Sequence, residues 1–598
     1  MRKQLTMFGI MAALNLEAFA AWQPPIGIPR PSFGIEEQAP AFDASNPLHF
    51  YVDNYAAGCS DAGRGSPAQP RCSLPSLTGL AAGTLVQIAG GAYSGTTLSI
   101  SGTGTALQPI FIRGLDPSNR PKIQYADLAT NAQHMIIENL HFTATRWSGS
   151  SSVTYFSFRR NELRGDPGRN GMEPLAVDTV IYNNNIHHPG YDLSGNPARG
   201  DRHGITLQGG SKRVWIVDND IHHTSGDGVQ FCHANGDTSS PCFTNGAPEF
   251  VYIGRNTIHD NIENAVDFKV SKNVVVSQNV MYGFKAVNLN IGGSAVSSDG
   301  VAVLIGSNGI IDPAENIWTI FNEIYDSENG IRLEAAPGKT HIIGNVIRNI
   351  KGSGSTSSGG TLGYGIRLEK EGDVTIMGNT IYDADLAVNQ DWRETFKLHI
   401  FNNLFANMRG TTYGNYFYVK SGLVASQSQM SNNIFYQNGN PAIINWGGTV
   451  YTIDTTAEFA TFPGGANNLL EDPRFVDVAN KNFHLQAGSL AIDKADDTLY
   501  DYASAFCATF GAFIPDCIGK LSVDFDANLR PQGPAWDMGV YEFGSGSFTP
   551  RCNDGKDNDS DGKIDMDDPG CSSAQDNDET DPVAAPKPPA APKSLRVK

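Results

Sequence analysis

The chain has 598 residues, a formal charge of −19 and 64 glycines. Its length allows either several domains or one long solenoid. The acidic balance argues against a general nucleic-acid-binding protein, and no later segment reaches the roughly 18 consecutive apolar residues of a membrane span. The many glycines and the scarcity of helix-forming runs predict a β-rich protein with many loops.

The first 20 residues have the features of a signal peptide. A basic pair follows the first Met, the run from Leu5 to Phe19 is mostly apolar, and Ala18-Phe19-Ala20 offers a small-residue cleavage site. Asn15 and Glu17 interrupt the apolar run, which leaves a plain N-terminal segment as the alternative. We therefore expect a secreted protein.

The eight cysteines agree with secretion because they fall into four close pairs. An even number of paired cysteines is typical of disulfides that close surface loops in an oxidising compartment. No CxxC or Cys/His spacing of the kind that binds zinc is present. The predicted disulfides are Cys59–Cys72, Cys232–Cys242, Cys507–Cys517 and Cys552–Cys571.

An internal repeat occupies the middle of the chain. Asn residues that follow one apolar run and precede another often recur at steps of 22 or 23 residues, and longer steps read as the same unit with an inserted turn. They stand at positions 139, 161, 184, 219, 256, 279, 322, 345, 379, 402 and 432. The repeat predicts an all-β, right-handed parallel β-helix, a solenoid of about 10–12 coils with N- and C-terminal caps and a stacked Asn ladder. A leucine-rich repeat is excluded because its leucine pattern is absent.

Composition and the repeat divide the chain into six segments. We predict a signal peptide at 1–20, a proline-rich linker or extended arm at 21–47, the β-helix at 48–440, further coils and a cap that covers the last coil at 441–545, an acidic calcium-binding repeat at 546–582 and a disordered tail at 583–598.

Four stretches resemble secreted proteins of the pectate-lyase-like superfamily. Residues 49–95, which end in GTLVQIAGGAYSG, resemble the opening of such proteins, and residues 471–493 and 524–543 resemble their closing segment. VDFKVSKNVVVSQN at 266–279 resembles the coil that carries the metal ligand and the base. The resemblance implies Ca²⁺ as cofactor and cleavage of a uronic-acid polysaccharide by β-elimination, as in pectate lyases, chondroitinase B and alginate lyases.

Several short predicted strands begin after a Gly or an Ala. Aligning the strands on that residue gives the register between neighbouring coils. Alternate side chains of a strand point to opposite faces, so we expect two columns of outward side chains. The inward residues are Val266, Phe268, Ile331 and Leu333; the outward columns are Thr206, Gln230, Asp267, Arg332 and Arg367, and Gln208, Cys232, Lys269, Glu334 and Glu369. Either AVNLN, from 286, or GVAVLIG, from 300, fills the coil before Arg332.

These columns and the turns before them predict an active groove. The C5 proton of a uronide becomes acidic when the adjacent carboxylate is neutralised by Ca²⁺ or Arg. A lysine beside such cations has a lowered pKa and acts as the base. We predict Lys269 as base, Arg332 as partner of the substrate carboxylate and His203 as a second acid–base residue. The predicted calcium ligands are Asp227, Glu263 and Asp267, and the predicted substrate-binding residues are Arg202, Gln230, Asn264 and Arg367.

The tail contains a second motif for Ca²⁺. In DNDSDGKIDMDD, alternating carboxylates surround a hard cation and the Gly allows a sharp bend. The predicted ligands are Asp557, Asp559, Asp561, Asp565 and Asp568. A solvated acidic spacer is the alternative.

Other functions on the same fold stay open. A glycoside hydrolase needs paired carboxylates across the scissile bond, and an epimerase shares the proton abstraction but differs in reprotonation. A non-catalytic, carbohydrate-binding surface solenoid is the remaining alternative. His222, His223 and His259 are interpreted as polar turn residues. We expect a monomer whose partner is an acidic polysaccharide, and no nucleic acid.

Overall fold

The computed structural model describes residues 22–93, 98–123, 126–143, 145–146, 153–232, 239–306, 314–334, 338–353, 362–369, 372–390, 396–410, 416–419, 423–463, 465–544, 551–553, 555 and 563–571. The predicted signal peptide and disordered tail lie outside the described residues, as do Asp557, Asp559 and Asp561 of the predicted tail loop. Asp565 and Asp568 are described, and Asp565 Oδ1 accepts a hydrogen bond from the Gly555 amide at 3.0 Å. The tail calcium site stays a prediction.

Three sheets, here called A, B and C, form the body of the protein. Sheet A has 17 strands: His49–Asp53, Leu80–Ala81, Leu85–Ala89, Leu98–Thr103, Ile110–Gly114, Ala126–Glu138, Thr145–Arg146, Thr154–Arg159, Val177–Tyr182, Lys212–Val217, Glu249–Gly254, Ser271–Ser277, Ala314–Ile320, Lys339–Ile343, Gly372–Met377, Phe396–Phe401 and Gln429–Ser431.

Sheet B has 13 strands: Lys122–Ile123, His141–Phe142, Glu162–Arg164, Asn185–His187, Asp220–His222, Thr257–His259, Val280–Tyr282, Glu323–Tyr325, Val346–Ile350, Thr380–Ala384, Leu404–Ala406, Ile434–Tyr436 and Leu469–Leu470. Sheet C has ten: Ile205–Leu207, Val229–Phe231, Val266–Phe268, Val301–Ile305, Asn329–Leu333, Tyr364–Leu368, Leu386–Gln390, Phe417–Val419, Ala442–Trp446 and Thr449–Ile453.

Helices and separate hairpins are few among the described residues. The α-helices are Pro241–Thr244, Tyr502–Phe510 and Cys517–Leu521, and the 3₁₀ turns are Ala425–Gln427, Thr456–Thr461, Gly511–Phe513, Arg551–Asn553 and Asp565–Asp567. The hairpins are Ala286–Ile291 with Ser294–Asp299 and Phe475–Asp477 with Asn482–Leu485. No helix in the described part of the chain is long and apolar enough to cross a membrane.

Equivalent strands of successive coils pair in parallel, as Val229–Phe231 does with both Ile205–Leu207 and Val266–Phe268. Their inward side chains, among them Phe231 and Phe268, form one continuous apolar core along the axis. This arrangement confirms the predicted all-β parallel β-helix. All four predicted disulfides are present.

A buried Asn ladder joins the coils between sheets A and B. Each amide oxygen accepts hydrogen bonds from the previous ladder Asn, as Asn279 Oδ1 does from the backbone N–H and Nδ2 of Asn256, both at 2.9 Å. The ladder comprises Asn161, Asn184, Asn219, Asn256, Asn279, Asn322, Asn345, Asn379, Asn403, Asn433 and Asn468. Our assignments at 402 and 432 were wrong by one residue, and the one at 139 was wrong because Leu140 occupies the ladder position in that coil, where its N–H donates to Asn161 Oδ1. Those three Asn instead occupy the left-handed corner before the ladder position.

The outer face of sheet A is covered from both ends of the chain. Residues 22–47, predicted to be a linker or an extended arm, are an arm packed on this face: Trp215 Nε1 donates to the Pro29 carbonyl at 2.7 Å, and the buried Arg159 donates to the carbonyl of Ile35 at 2.8 Å. From the other end, Phe506 of helix Tyr502–Phe510 packs on Trp318. Of the two predictions for residues 22–47, the structure agrees with the extended arm and not with the linker.

The end of the solenoid is closed by residues just after the last coils. The antiparallel pair Ala442–Trp446 and Thr449–Ile453 is followed by the turn Thr456–Thr461, and Phe459 and Phe462 join the interior core. Most of the segment that we predicted as the cap instead turns back along the outside of the solenoid. Phe506 packs on Trp318 of sheet A, and Phe483 and Tyr541 pack with Val346 of sheet B.

Candidate active cleft on sheet C

The outward column of sheet C has the predicted register. Gln230 pairs with Asp267, and Arg332 pairs with Arg367 on the next coil. The ambiguous coil is filled by Val301–Ile305, which puts Leu304 between Asp267 and Arg332. The competing segment, Ala286–Ile291, forms a hairpin with Ser294–Asp299 outside the sheet, here called the cleft hairpin.

A cleft of ≈ 530 Å³ lies between this column and the cleft hairpin. Most of its walls are polar or charged. The lining residues are Asp201, Gln230, Glu263, Asn264, Asp267, Lys269, Ala295, Ser297, Ser298, Asp299, Leu304, Arg332 and Glu334. Six of our predicted site residues are among them, namely Gln230, Glu263, Asn264, Asp267, Lys269 and Arg332.

Asp227 lies fully buried beneath the cleft and does not line it. Its Oδ1 accepts hydrogen bonds from the backbone N–H and Nδ2 of Asn264 at 3.1 and 2.8 Å, and its Oδ2 accepts one from Gln230 Nε2 at 3.1 Å. We predicted Asp227 as a calcium ligand. Because its oxygens are engaged with the protein, its role in this structure is to hold Gln230 and Asn264 in place.

His203 is also buried behind the cleft rather than exposed in it. Its Nδ1 lies 3.3 Å from Asp227 Oδ2 and 2.9 Å from the Asp227 backbone nitrogen, and its Nε2 lies 3.3 Å from Asp201 Oδ1. Burial alone would lower the pKa of His203, but its contacts with Asp201 and Asp227 raise it to about 10. A buried ring with both nitrogens engaged does not fit the predicted role as an acid–base residue that meets substrate.

Three carboxylates crowd one end of the cleft. Ligand atoms of Asp201, His203 and Glu263 lie within 4.8 Å of one another, and Asp267 Oδ1 is buried with no hydrogen-bond partner. Burial and the charge of Asp227 raise the pKa of Glu263, and burial raises the pKa of Asp267 to about 7. Crowded oxygens with an unused acceptor fit a hard cation such as Ca²⁺. Asp201, Glu263 and Asp267 would hold it.

Lys269 reaches the same carboxylates from the adjacent position of its strand. Its Nζ lies 2.6 Å from Asp267 Oδ2, and the side chain is 13% exposed. Burial lowers the pKa of Lys269, but Asp267 and Asp227 outweigh burial and raise it above its ordinary value. This is the opposite of the lowered pKa that we predicted. Without a bound cation, Lys269 keeps its proton.

The two arginines of the column are held by carboxylates. Arg332 donates from Nε and Nη2 to Glu369 at 3.1 and 3.0 Å, and from Nη1 to Asp299 of the cleft hairpin at 2.9 Å. Arg367 is buried between the same two acids, at 3.1 Å from Asp299 and 2.9 Å from Glu369. Arg332 lines the cleft and Arg367 does not.

Two other aspects of the predicted site differ in the structure. Arg202 does not line the cleft, and its Nη1 donates to the backbone carbonyl of Asp201 at 2.6 Å. Asp201 and Asp299, which line the cleft, were absent from the predicted site. Asp201 has a signal in the sequence, since it stands in the turn before a strand of sheet C. Asp299 has none, because it arrives from a hairpin outside the repeat.

Comparisons with known proteins give similarity of fold at low identity. No protein-family model and no curated protein matches this chain. Among solved structures, pectate lyase Pel9A is 13% identical, with 83% of this chain and 96% of that chain covered and a TM-score of 0.39. An alginate lyase from Paenibacillus sp. str. FPU-7 is 13% identical over 51% and 92% of the two chains, with a TM-score of 0.31.

A glycoside hydrolase is also among the similar structures. The GH136 lacto-N-biosidase from Eubacterium ramulus is 13% identical over 64% of this chain and 66% of that chain, with a TM-score of 0.32. At these identities and TM-scores, the similarities assign no activity to this chain.

Proposed function

We propose that this protein is a secreted polysaccharide lyase that cleaves a uronic-acid-containing polysaccharide by β-elimination. One observation carries the proposal: Lys269 lines an open cleft beside a cluster of carboxylates that includes an unpaired, buried oxygen of Asp267. A lysine and a hard-cation site in contact are the two groups that proton abstraction beside a carboxylate requires.

The residues of the cleft have different roles in the proposed reaction. Ca²⁺, when bound, neutralises the substrate carboxylate and so acidifies the C5 proton. Lys269 takes that proton, a C4–C5 double bond forms, the C4–O bond breaks, and the leaving oxygen takes a proton from water in the open cleft. Lys269 is a base only when the charge of Asp267 and Asp227 is compensated, because these carboxylates hold its own proton. Three of the five N–H groups of Arg332 contact acids, so at most two remain for the substrate carboxylate.

A glycoside hydrolase is the second candidate, and one observation favours it. With a pKa raised to about 7, Asp267 carries a proton near neutral pH, as a general acid must. The short contact between Asp267 and Lys269 favours elimination, since it gives that carboxyl group a cationic partner that a general acid lacks. An epimerase and a binding-only solenoid share the cleft and differ in product.

The test is a screen of pectate, alginate and glycosaminoglycans with the purified protein, with Ca²⁺ and with chelator. We expect one polymer to give products that absorb in the ultraviolet, because elimination leaves a conjugated double bond. New reducing ends without absorbance would show a hydrolase, and a changed uronate composition without cleavage would show an epimerase. Retention on a polymer with no product would show a binding protein. Each of these three results would contradict the proposal.

Replacing Glu263 with Gln should change how stability depends on pH. Burial and Asp227 raise the pKa of Glu263 above its usual value of 4.5, so the folded protein keeps a proton that the unfolded chain loses as pH rises. Stability of the cation-free protein therefore falls as pH rises from that value. We expect Glu263→Gln to have a higher Tm than the wild type at about pH 8, a smaller difference at about pH 4, and a weaker rise in Tm with Ca²⁺.

A matched control for this variant is the exposed Glu471. Glu471→Gln should leave both the pH profile and the response to Ca²⁺ unchanged. If Glu263→Gln responds to Ca²⁺ as the wild type does, Glu263 is not a ligand and the cation site must be placed elsewhere.

A further inference from the structure

Histidines concentrate on sheet B, away from the cleft on sheet C. Six of the 13 histidines of the chain lie on or beside strands of this sheet in neighbouring coils. They are His141, His187, His188, His222, His223 and His259. Within the cluster, two consecutive coils each present a His-His pair at the end of a strand, and the next coil presents His259-Asp260.

The two His-His pairs have the same geometry. The Nδ1 atoms of His187 and His188 lie 2.8 Å apart, and so do those of His222 and His223. Within each pair the rings are nearly perpendicular, at 87° and 86°. Between the coils the rings stack with centroids 5.2 and 5.3 Å apart. Two successive coils therefore each carry a pair of Nδ1 atoms with the same geometry.

The partners of the first ring in each pair determine which nitrogen carries its proton. His187 Nε2 lies 3.5 Å from Glu162 Oε1, and His222 Nε2 lies 3.2 Å from Asn185 Oδ1. Both partners accept hydrogen bonds, so Nε2 is the N–H and Nδ1 presents its lone pair to the second ring of the pair. Metal-binding histidines typically show this arrangement, in which the remote N–H donates to a carboxylate or carbonyl oxygen.

A hydrogen bond sets the separation of the two nitrogens in the metal-free protein, and this separation suits an ion whose ligands lie at right angles. With metal–nitrogen bonds of about 2.0–2.1 Å, two Nδ1 atoms 2.8 Å apart subtend nearly a right angle at the metal. A tetrahedral zinc site would need about 3.3 Å between them. Adjacent positions of a square-planar or tetragonal site, which Cu²⁺ and Ni²⁺ prefer, fit the observed distance.

We propose that the pairs His187–His188 and His222–His223 form a binding site for Cu²⁺ or Ni²⁺ through their Nδ1 atoms. On binding, the proton that each pair shares moves to Nε2 of His188 or His223, so that both Nδ1 lone pairs face the ion and no proton is released. An ion lies in the plane of its imidazole ligands, so stacked pairs about 5 Å apart bind separate ions, and the first disfavours the second by charge repulsion.

The next coil does not continue the nitrogen pairs. His259 Nε2 lies 3.2 Å from Asp220 Oδ1, and its Nδ1 lies 2.9 Å from Asp260 Oδ2. Because a carboxylate takes the place of the second imidazole there, the nitrogen site ends at His223.

The test is a titration with Cu²⁺ followed by calorimetry and electron paramagnetic resonance. Excess Ca²⁺ is present to occupy carboxylate sites, including the cleft. We expect a spectrum with two equatorial imidazole nitrogens in the first equivalent. The double variant His188→Phe/His223→Phe keeps the stacked rings and removes one ligand from each pair. It should weaken the tightest binding by at least about 100-fold. His399→Phe, on sheet A, should bind as the wild type does.

Two results would overturn the site: unchanged affinity in the double variant, or a wild-type spectrum with oxygen ligands only. If the double variant does not fold, the nitrogen count in the wild type decides alone. Lyase activity of the folded double variant should equal that of the wild type. Failure of the copper site and failure of the proposed enzyme are therefore distinguishable.

Discussion

Replacing Lys269 with Met should lower the rate of elimination by about 10²–10⁴-fold on the polymer that the ultraviolet screen identifies. Lys269 is the lysine that lines the described cleft, and its Nζ is 2.6 Å from Asp267. Met preserves the length of the side chain but cannot accept a proton. The measurement is the initial rate of ultraviolet absorbance at saturating Ca²⁺, with circular dichroism to verify the fold.

A second substitution separates the base from the positive charge. Lys269→Arg keeps the cation beside Asp267 but stays protonated at any practical pH, so it should be as inactive as Lys269→Met. If Lys269→Arg retains activity, the lysine supplies only charge and another group takes the proton.

Lys272 provides the matched control on the same coil. Its side chain is 50% exposed and pairs at 3.6 Å with Glu315 on sheet A. Lys272→Met should leave the rate within about twofold of the wild type, since exposed pairs of this kind contribute little. An equal loss in both variants would point to a general effect on the coil rather than to proton abstraction.

The repeat could be predicted from the sequence because the same short sequence pattern recurs in each coil. An apolar run, a corner and a ladder Asn recur, and alternation along the strand separates inward from outward side chains. The pattern can fail where the corner residue is itself an Asn. At Asn139, Asn402 and Asn432 the left-handed corner tolerates Asn, so the pattern takes the corner for the ladder position.

The contacts of the arm at residues 22–47 could not be predicted because they join distant parts of the chain. The Pro29 carbonyl accepts from Trp215, 186 residues away, and the Ile35 carbonyl accepts from Arg159, 124 residues away. Backbone carbonyls are present in every residue, so the arm has no pattern that distinguishes it from a linker. The same reason applies to the closing segment that turns back along the outside of the solenoid.

The outward column of side chains that lines the cleft was predicted, but the electrostatic environment of its charged groups was not. Alternation places Asp267 and Lys269 on the outward face, and the structure agrees. The pKa of Lys269 depends on how many buried carboxylates surround it and on whether a cation offsets them, which a strand pattern does not contain. Asp299 lies on the cleft hairpin, which is not part of the repeat, and it accepts a hydrogen bond from Arg332. The repeat pattern therefore could not predict this ion pair.

Replacing one ladder residue, Asn279, should destabilise the β-helix by about 3–5 kcal/mol, because it leaves several buried groups without partners. Asn279 Nδ2 donates to the carbonyl of Ile253 at 3.0 Å and to Asn322 Oδ1 at 2.9 Å. Its Oδ1 accepts two hydrogen bonds from Asn256. Removing the side chain therefore affects three adjacent coils at once. Guanidinium unfolding of Asn279→Ala should show a lower midpoint.

Asn279→Leu separates the lost hydrogen bonds from the lost volume. Leucine fills the space of the side chain, so a similar loss of stability in both variants assigns the effect to the unpaired amide and carbonyl groups. The exposed Asn119 is the control, and Asn119→Ala should change the free energy of unfolding by less than about 0.5 kcal/mol. If Asn279→Leu is as stable as that control, apolar packing alone holds the coils in register and the ladder contributes little.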